Sequence, residues 1–393
     1  MIELSEEALA AGRPSVSLAD EDEATDVVMD MLFGLGRLQR LIDDPAVENI
    51  DVNGADDVWV TYADGTKQRS AAVADSDQEL VDLVRAAAAR DGLSERRFDT
   101  GEPELDLRLP DGSRLSAVMS VTRRPVIDIR RHRLADQDLA DLVELGMLEE
   151  DMAAFLGAAV RSKRNILVSG AMNAGKTTML RALAAEISPQ ERIVTIEQAL
   201  ELGLDQQRDR HPDCVAMEAR PANTEGVGAI GVAQLVRRSL RMNASRVIVG
   251  EVLGDEVIPM LNAMSQGRSG SMATIHADSS ASVFRRLATY AVQAPERLPL
   301  EATNLLIAGS INLVVHLDSS PSPARPSATW RRVVSVREVV DADGALVFTN
   351  ELWRPGLDGL AEPCSPPSEE MTRILAREGY RWASASTQPR ESW

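Results

Sequence analysis

The sequence lacks the features that mark membrane spans, disulfide frameworks and zinc sites. No run of apolar residues approaches the ~18 that a membrane-spanning helix requires. The two cysteines, Cys214 and Cys364, lie far apart without metal-binding spacing, and the four histidines are scattered. The first residues, MIELSEEALA, are acidic and lack the basic segment with which a signal peptide begins. These absences favour a cytoplasmic chain, and they leave open a peripheral partner at the membrane.

Aromatic residues and positive charge are also scarce. Aromatics make up 3% of the 393 residues, too few for a platform on which single-stranded nucleic acid could stack. The formal net charge is −19, a poor match for a surface that binds the phosphate backbone of nucleic acid. We therefore expect no direct nucleic-acid contact. Local basic clusters, such as Arg123-Arg124 and Arg130 to Arg133, would suit a single phosphate group equally well.

Lysine is rare enough to make its position informative. The chain has three lysines, Lys67, Lys163 and Lys176, and arginine supplies nearly all other positive charge. Lys176 lies in the segment GAMNAGKT, residues 170–177, which fits the pattern G-x-x-x-x-G-K-[ST]. An apolar run suited to a buried strand precedes this segment, and an Ala/Leu-rich stretch of helical period follows it. This strand–loop–helix order is that of a phosphate-binding P-loop.

The chemistry of a P-loop assigns roles to these residues. Gly170 and Gly175 let the backbone approach a ligand, so that loop amides and the helix N-terminus converge on phosphate oxygens. Lys176 would reach the β- and γ-phosphates of ATP, and the Thr177 hydroxyl would hold Mg²⁺. The predicted nucleotide-binding residues of the loop are Gly170, Ala171, Met172, Asn173, Ala174, Gly175, Lys176, Thr177 and Thr178. We expect ATP and Mg²⁺ as cofactors and no other metal.

Strand and helix patterns divide the chain into five segments. Residues 1–27 are acidic and suggest a disordered extension, followed by an amphipathic helix that begins near Thr25. Residues 28–133 mix hairpin and helix signals, which predicts a small α+β domain, and residues 134–145 form a linker. Strand-like and helix-like segments alternate over residues 146–354, as in a parallel sheet flanked by helices. Residues 355–393 are rich in proline and serine and predict a partly disordered tail.

Two acidic residues follow apolar strands of the predicted sheet. Glu197 ends the run Ile193–Ile196, and Glu251 follows the run Val247–Val249. Ligand-facing groups of such sheets lie at the carboxyl ends of the strands, here beside the P-loop. A P-loop ATPase requires a carboxylate to organise Mg²⁺ and another group to position water. We therefore predict a catalytic role for both acids; the alternative is that they are solvated loop residues.

Several ordered motifs resemble the secretion and pilus-assembly ATPase family, the hexameric motors of type II and type IV secretion, type IV pili and Flp/Tad pili. Residues 192–202 resemble its Asp box, 220–226 its RPxNxEG element, 240–252 its Walker B region and 270–277 its His box. Upstream, residues 109–114 and 129–131 resemble the N-terminal domain of the Flp/Tad, CpaF-like branch. The resemblance runs from about Leu41 to Phe348. It implies a RecA-like P-loop NTPase domain preceded by a small α+β domain.

The resemblance also implies individual roles. With Lys176, the implied catalytic residues are Glu197, which orients or activates water, and Glu251, which acts on Mg²⁺ through water. His276 would sense the γ-phosphate. One group of arginines would approach the nucleotide from the N-terminal domain of the same or a neighbouring subunit. A second group would close the phosphate charge at a subunit interface, and the alternative for these is surface or helix-face charge. The first group comprises Arg114, Arg130 and Arg131, and the second, possible arginine fingers, comprises Arg220, Arg237 and Arg241.

The chain departs from the family pattern at several positions. Gln198 stands where the Asp box usually has an acid, Arg268 where the His box has an earlier histidine, and Leu253 where an arginine is common. The implied function is a cytoplasmic hexameric ATPase at the inner face of the cytoplasmic membrane, which powers pilus assembly or secretion through a polytopic inner-membrane platform. The alternatives are a nucleotide-dependent scaffold with little hydrolysis and a conjugation-associated motor.

Overall fold

The computed structural model describes residues 34–90, 97–131, 137–220, 222, 226–266, 269–321, 329–357 and 359–382. The predicted acidic extension, most of the helix expected from Thr25, and Arg268 lie outside these residues. The chain divides into two compact units, residues 1–133 and 134–393, called here the first and the second unit. None of the helices in the described ranges combines the length and the apolar character that a bilayer crossing needs.

The first unit is an antiparallel sheet with two helices in its described part. The helices are α1 (Arg37–Asp43) and α2 (Asp77–Arg90), and the strands are β1 (Val47–Asn53), β2 (Val58–Tyr62), β3 (Lys67–Ser70), β4 (Glu104–Arg108), β5 (Arg114–Val118) and β6 (Val126–Arg130). The strand order is β3-β2-β1-β6-β5-β4. Alternate residues such as Ile50, Val52 and Leu115 are buried, because an antiparallel sheet can present one face to a core and the other to water. The predicted hairpin at Asn53-Gly54 is present, with Gly54 at a φ of 102°.

The second unit is built on one mixed sheet. Its strands are β7 (Ile166–Gly170), β8 (Ile193–Glu197), β9 (Cys214–Glu218), β10 (Arg246–Val252), β11 (Met272–His276), β12 (Leu313–Pro321), β13 (Thr329–Ala342), β14 (Val347–Pro355) and β15 (Ala361–Pro363). The order is β15-β14-β13-β12-β7-β11-β10-β8-β9, parallel from β12 to β9 and antiparallel from β12 to β15. The central strands read as continuous apolar runs because both of their faces are covered.

Helices cover both faces of this sheet. They are α3 (Leu139–Glu144), α4 (Glu150–Arg161), α5 (Lys176–Ala184), α6 (Val232–Ser239), α7 (Val257–Ser265), α8 (Ser282–Gln293), α9 (Leu300–Ser310) and α10 (Glu369–Ala376). Helices α3, α4, α5 and α10 contribute to one apolar core, and helices α6 to α9 contribute to the other. The second unit is therefore a three-layer α/β domain, and its P-loop helix, α5, lies in the first of these layers.

The described part of the C-terminal segment carries β15 and α10, neither of which was predicted. Ser368 caps α10 by accepting a hydrogen bond from the amide of Met371 at 3.2 Å. Tyr380 packs edge-on against Phe155 of α4 with ring centroids 5.5 Å apart, and Phe155 in turn lies 4.9 Å from the ring of Trp353. Aromatic packing thus joins this segment to the core of the second unit.

Candidate nucleotide site

Four neighbouring strands bring the predicted site residues to one edge of the sheet. The strands lie in the order β7-β11-β10-β8, all parallel, so their carboxyl ends meet at the same edge. His276 at the end of β11 pairs with Gly170 at the end of β7, and Ile196 of β8 pairs with Val249 of β10. Strand β10 continues through Val252, so Glu251 lies within it and does not follow it. The register shifts between β10 and β11 at this point.

The loop between β7 and α5 has the backbone of a phosphate cradle. A Cβ atom at Gly170 would lie 2.7 Å from the carbonyl oxygen of Leu317, so glycine is needed for β12 to approach. Gly175 has a φ of 93°, a left-handed conformation that favours glycine, and it immediately precedes α5. The first turn of α5 has no acidic residue and no side-chain cap, so its amide groups are available to an anion.

Lys176, Glu251 and His276 form a charged cluster beside this loop. The Nζ atom of Lys176 donates to the carbonyl oxygen of Ala171 at 2.9 Å and lies 3.2 Å from Nδ1 of His276. An oxygen of Glu251 lies 2.8 Å from Nε2 of His276 and 4.0 Å from Nζ of Lys176. The side chains of Glu251 and His276 are 34% and 30% exposed, so a ligand can reach them from solvent. The cluster combines an ammonium, a carboxylate and an imidazole at a phosphate cradle.

The donor set suits Mg²⁺ only together with a phosphate. In the described part of the chain, no group of three or more acidic, histidine or cysteine side chains could hold a metal ion by itself. Mg²⁺ usually binds one or two protein oxygens plus substrate phosphates. The hydroxyl of Thr177, in the first turn of α5, and the partly exposed carboxylate of Glu251 provide oxygen donors of this kind.

Glu197 lies one strand further along the same edge, and it is buried, with 3% exposure. One carboxyl oxygen accepts hydrogen bonds from the amides of Glu201 and Leu202, each at 2.9 Å. The other carboxyl oxygen is buried without a partner. Loss of hydration raises the pKa of Glu197 to about 7, although the two amide bonds act in the opposite direction. A Cβ atom at Gly250 would lie 2.8 Å from Cγ of Glu197, so the glycine beside Glu251 leaves space for this carboxyl.

The predicted arginines belong to other elements of the two units. Arg114, Arg130 and Arg131 belong to the first unit, where Arg114 lies 3.7 Å from a carboxylate oxygen of Asp106 and Arg131 donates to the carbonyl oxygen of Asp44. The three candidate arginine fingers are exposed residues of the second unit. Arg220 donates to the carbonyl oxygen of Gly228 at 3.0 Å, Arg237 pairs with Glu296 at 2.9 Å, and Arg241 follows α6.

Several residues outside the predicted set support the site. Arg331 of β13 donates to the carbonyl oxygen of Asn173 at 2.8 Å and so holds the middle of the loop. The hydroxyl of Thr274 donates to the carbonyl oxygen of Gly250 at 2.6 Å, which ties β11 to β10 beside Glu251. Thr274 lies inside the His box, a signal that could have pointed to it. Nothing in the local pattern around Arg331 indicates its contact, because β13 reaches the loop only through its pairing with β12.

The sheet order and the helix layers define the class of this protein: an α/β chain with a small α+β domain followed by a RecA-like domain. A sequence profile of the family described as Type II/IV secretion system protein matches residues 32–338, and the chain belongs to that family. The predicted family resemblance is therefore confirmed at this level. Its assignment to the Flp/Tad branch stays a prediction.

Relatives with known names agree with the membership of the secretion-protein family. A protein of Mycobacterium tuberculosis H37Rv named for conjugal transfer, Rv3659c, is 34% identical over 327 residues, which cover 81% of this chain and 88% of the relative. The type IV secretion system protein VirB11 of Brucella suis is 29% identical over 317 residues, covering 72% of this chain and 84% of VirB11.

Solved structures agree on the fold. The ATPase DotB of Yersinia pseudotuberculosis superposes with a TM-score of 0.54 at 14% identity, covering 82% of this chain and 80% of DotB. The pilus retraction motor PilT with bound ADP gives a TM-score of 0.53 at 14% identity, covering 87% and 86%. At these identities the likeness concerns the fold alone.

Proposed function

We propose that this chain is a cytoplasmic ATPase that forms a hexamer and couples ATP binding and hydrolysis to movement of its first unit against its second. The observation that carries this proposal is the convergence of Lys176, Glu251 and His276 beside a glycine loop that opens a helix. Acting at the inner face of the membrane on a polytopic platform protein, the movement would power pilus assembly or secretion. Membership of a secretion-protein family, with relatives named VirB11, supports this direction.

Each residue of the site has a role in this proposal. Lys176 contacts the β- and γ-phosphates, while the amides of the loop bind phosphate oxygens. Thr177 and Glu251 would hold Mg²⁺, which would supply positive charge against the phosphates. Glu197 orients or activates the attacking water. His276 senses the γ-phosphate, since a phosphate on Lys176 would compete for the contacts that join His276 to Lys176 and Glu251.

In this proposal, arginines from outside the P-loop complete the nucleotide site. The first unit supplies Arg114, Arg130 and Arg131. A neighbouring subunit supplies one or more of Arg220, Arg237 and Arg241. Isolated subunits should then hydrolyse ATP slowly, and turnover per subunit should rise with protein concentration. A turnover that does not depend on concentration would contradict this part of the proposal.

A conjugation-associated motor is the second candidate, and the 34% identity to a relative named for conjugal transfer favours it. In that role the chain would act on a secretion channel and not on DNA, because its net charge of −19 disfavours contact with a phosphate backbone. DNA-stimulated hydrolysis with a steep salt dependence would instead indicate direct DNA binding.

Replacing the P-loop lysine tests the proposed function. Lys176→Ala should lower ATP affinity by about tenfold to a hundredfold, because a charged contact to phosphate is lost. The measurement is a titration with a fluorescent ATP analogue, accompanied by phosphate release. Lys163→Ala is the matched control, since Lys163 pairs with Glu191 at 3.1 Å and should leave affinity unchanged. Equal affinity of the wild type and Lys176→Ala would overturn the proposal.

Glu251→Gln separates hydrolysis from binding. The motor hypothesis expects ATP to bind while phosphate release falls strongly, because the carboxylate that organises Mg²⁺ is gone. If Glu251→Gln and the wild type release phosphate at the same low rate, the chain is a nucleotide-dependent scaffold. Gln198, in place of the usual Asp-box acid, is the feature that prompts this comparison.

A further inference from the structure

Arg181 ties the P-loop helix to a backbone segment beyond β8. It belongs to α5, and it is 5% exposed. Its Nε atom donates to the carbonyl oxygen of Leu202 at 3.0 Å, and its Nη2 atom donates to the carbonyl oxygen of Glu201. Leaving such groups unpaired at this depth is costly, so the guanidinium fixes the segment Glu201–Leu202 relative to α5.

The same two residues hold Glu197 from their other side. Their amides donate to a single oxygen of the Glu197 carboxyl, each at 2.9 Å. The segment Glu201–Leu202 therefore has its carbonyls bonded to Arg181 and its amides bonded to Glu197. Leu202 is itself 1% exposed and packs in the core, which leaves the segment little freedom to move. A continuous path of bonds thus runs from α5 to Glu197.

We propose that Arg181 is a positioning residue for Glu197: it holds the Glu201–Leu202 segment so that one carboxyl oxygen is fixed by two amides and the other stays without a partner at the carboxyl end of β8. The inference rests on the proposed function, in which Glu197 acts on the attacking water. The second oxygen is the one without a partner, so it is the oxygen left to meet a water molecule. Arg181 acts through backbone and does not touch the reacting atoms.

Charged neighbours of Glu197 make this arrangement measurable. Burial is the main cause that raises the pKa of Glu197, and the carboxylate of Glu201 adds to it, whereas the two amide bonds and the charge of Arg181 lower it. Removing Arg181 takes away a positive charge and loosens both amides, and both changes should raise the pKa of Glu197 further.

The test is the pH dependence of kcat in Arg181→Met, Arg181→Lys and Glu197→Gln. In the wild type, activity should rise as Glu197 ionises near its pKa of about 7. In Arg181→Met the midpoint of this rise of kcat with pH should move upward by about one pH unit. The value of kcat at neutral pH should fall by about tenfold or more. Arg181→Lys, which keeps the charge, should recover part of the shift. Affinity for the fluorescent ATP analogue should stay near the wild-type value, because the loop and Lys176 are intact.

Arg192→Met is the matched control. Arg192 donates to the carbonyl oxygen of Met242 at 2.9 Å, before the start of β8, so its loss should lower stability without moving the midpoint. If Glu197→Gln abolishes the rise with pH while Arg181→Met and Arg181→Lys leave the midpoint unchanged, the positioning role is wrong and the proposed function stands. If the rise persists in Glu197→Gln, the role of Glu197 itself is wrong.

Discussion

The buried carboxyl of Glu197 couples the stability of the second unit to pH. Its pKa rises from an ordinary 4.5 to about 7 on folding, because burial disfavours the ionised form. A group whose pKa is raised by folding stabilises the folded state fully below its unfolded pKa, and that contribution is lost as the pH rises through the folded pKa. The fold therefore pays a free-energy penalty for a carboxylate at this position above about pH 7.

Glu197→Gln should remove this penalty. Glutamine stays neutral, so the variant should gain stability over the wild type as the pH rises from 5 to 8.5, by on the order of 3 kcal/mol at most. Urea unfolding at the two pH values measures the difference. Glu218→Gln is the control, since Glu218 pairs with Glu197 across β8 and β9 but is exposed. If the free energies of unfolding of Glu197→Gln and the wild type differ by the same amount at both pH values, the pKa of Glu197 is not raised by folding.

At the scale of single residues, the sequence predicts those that lie in a recognisable local pattern. It does not predict those whose role depends on contacts with residues far away in the sequence. Lys176 was predicted from its motif, and Glu197 and Glu251 were predicted because acids follow apolar strands. Arg181 looks like any arginine of an Ala/Leu-rich helix, and its role emerges only because residues 201–202 fold back to it. Glu197 was placed at the edge correctly, but its burial and its raised pKa depend on neighbours that no local pattern specifies.

At the scale of elements, strand β10 packs so closely against Glu197 that only glycine fits at the position beside it. Gly250 lies within this strand, and a Cβ atom there would meet Cγ of Glu197 at 2.8 Å. Gly250→Ala should displace the Glu197 side chain and lower kcat by about tenfold or more, while ATP affinity stays close to the wild type. Gly254→Ala is the control, because a Cβ atom at Gly254 meets no heavy atom within 4 Å. Equal kcat values for Gly250→Ala and Gly254→Ala would show that this packing is unimportant for activity.

The segment after β14 packs against the core of the second unit through Tyr380. Tyr380 is 7% exposed, stacks edge-on with Phe155 and donates to Asp151 at 3.2 Å. Tyr380→Ala should destabilise the second unit by about 3 kcal/mol, because a buried aromatic ring is deleted. Thermal unfolding measures the change, and Leu357→Ala, at a fully exposed position, should leave the midpoint unchanged. An unchanged midpoint in Tyr380→Ala would mean that this segment contributes no packing energy.

The sheet shows where prediction by element succeeds. The strands β7, β8, β10 and β11 were predicted because a buried parallel strand is a short apolar run bounded by turns. Strands near β12, β13 and β14 were also predicted, but β15 and the place of these strands at one edge of the sheet were not, since pairing at a sheet edge depends on long-range contacts. Helix α10 was not predicted because its segment is rich in proline and serine, although Ser368 provides an ordinary N-terminal cap.

At the scale of the whole molecule, the proposed hexamer would divide each nucleotide site between two subunits. Arg220 and Arg237 make contacts within the chain, with Gly228 and Glu296. Arg241 is exposed, and it takes part in no ion pair within the described ranges, so it is the best candidate to serve a neighbouring nucleotide site. In a ring with head-to-tail contacts, each site would combine Lys176 of one subunit with Arg241 of the next.

Mixing two inactive variants tests this arrangement. Lys176→Ala chains should bind ATP weakly but keep Arg241, and Arg241→Ala chains keep Lys176. If Arg241 acts across the interface, about a quarter of the interfaces in an equal mixture combine both intact residues, and ATP turnover should reappear. Mixing Lys176→Ala with Glu251→Gln is the control: both residues belong to the same site of one chain, within 4.0 Å of each other, so no intact site can form. Turnover that stays absent in the first mixture, or that appears equally in both, would rule out Arg241 as a residue acting across subunits.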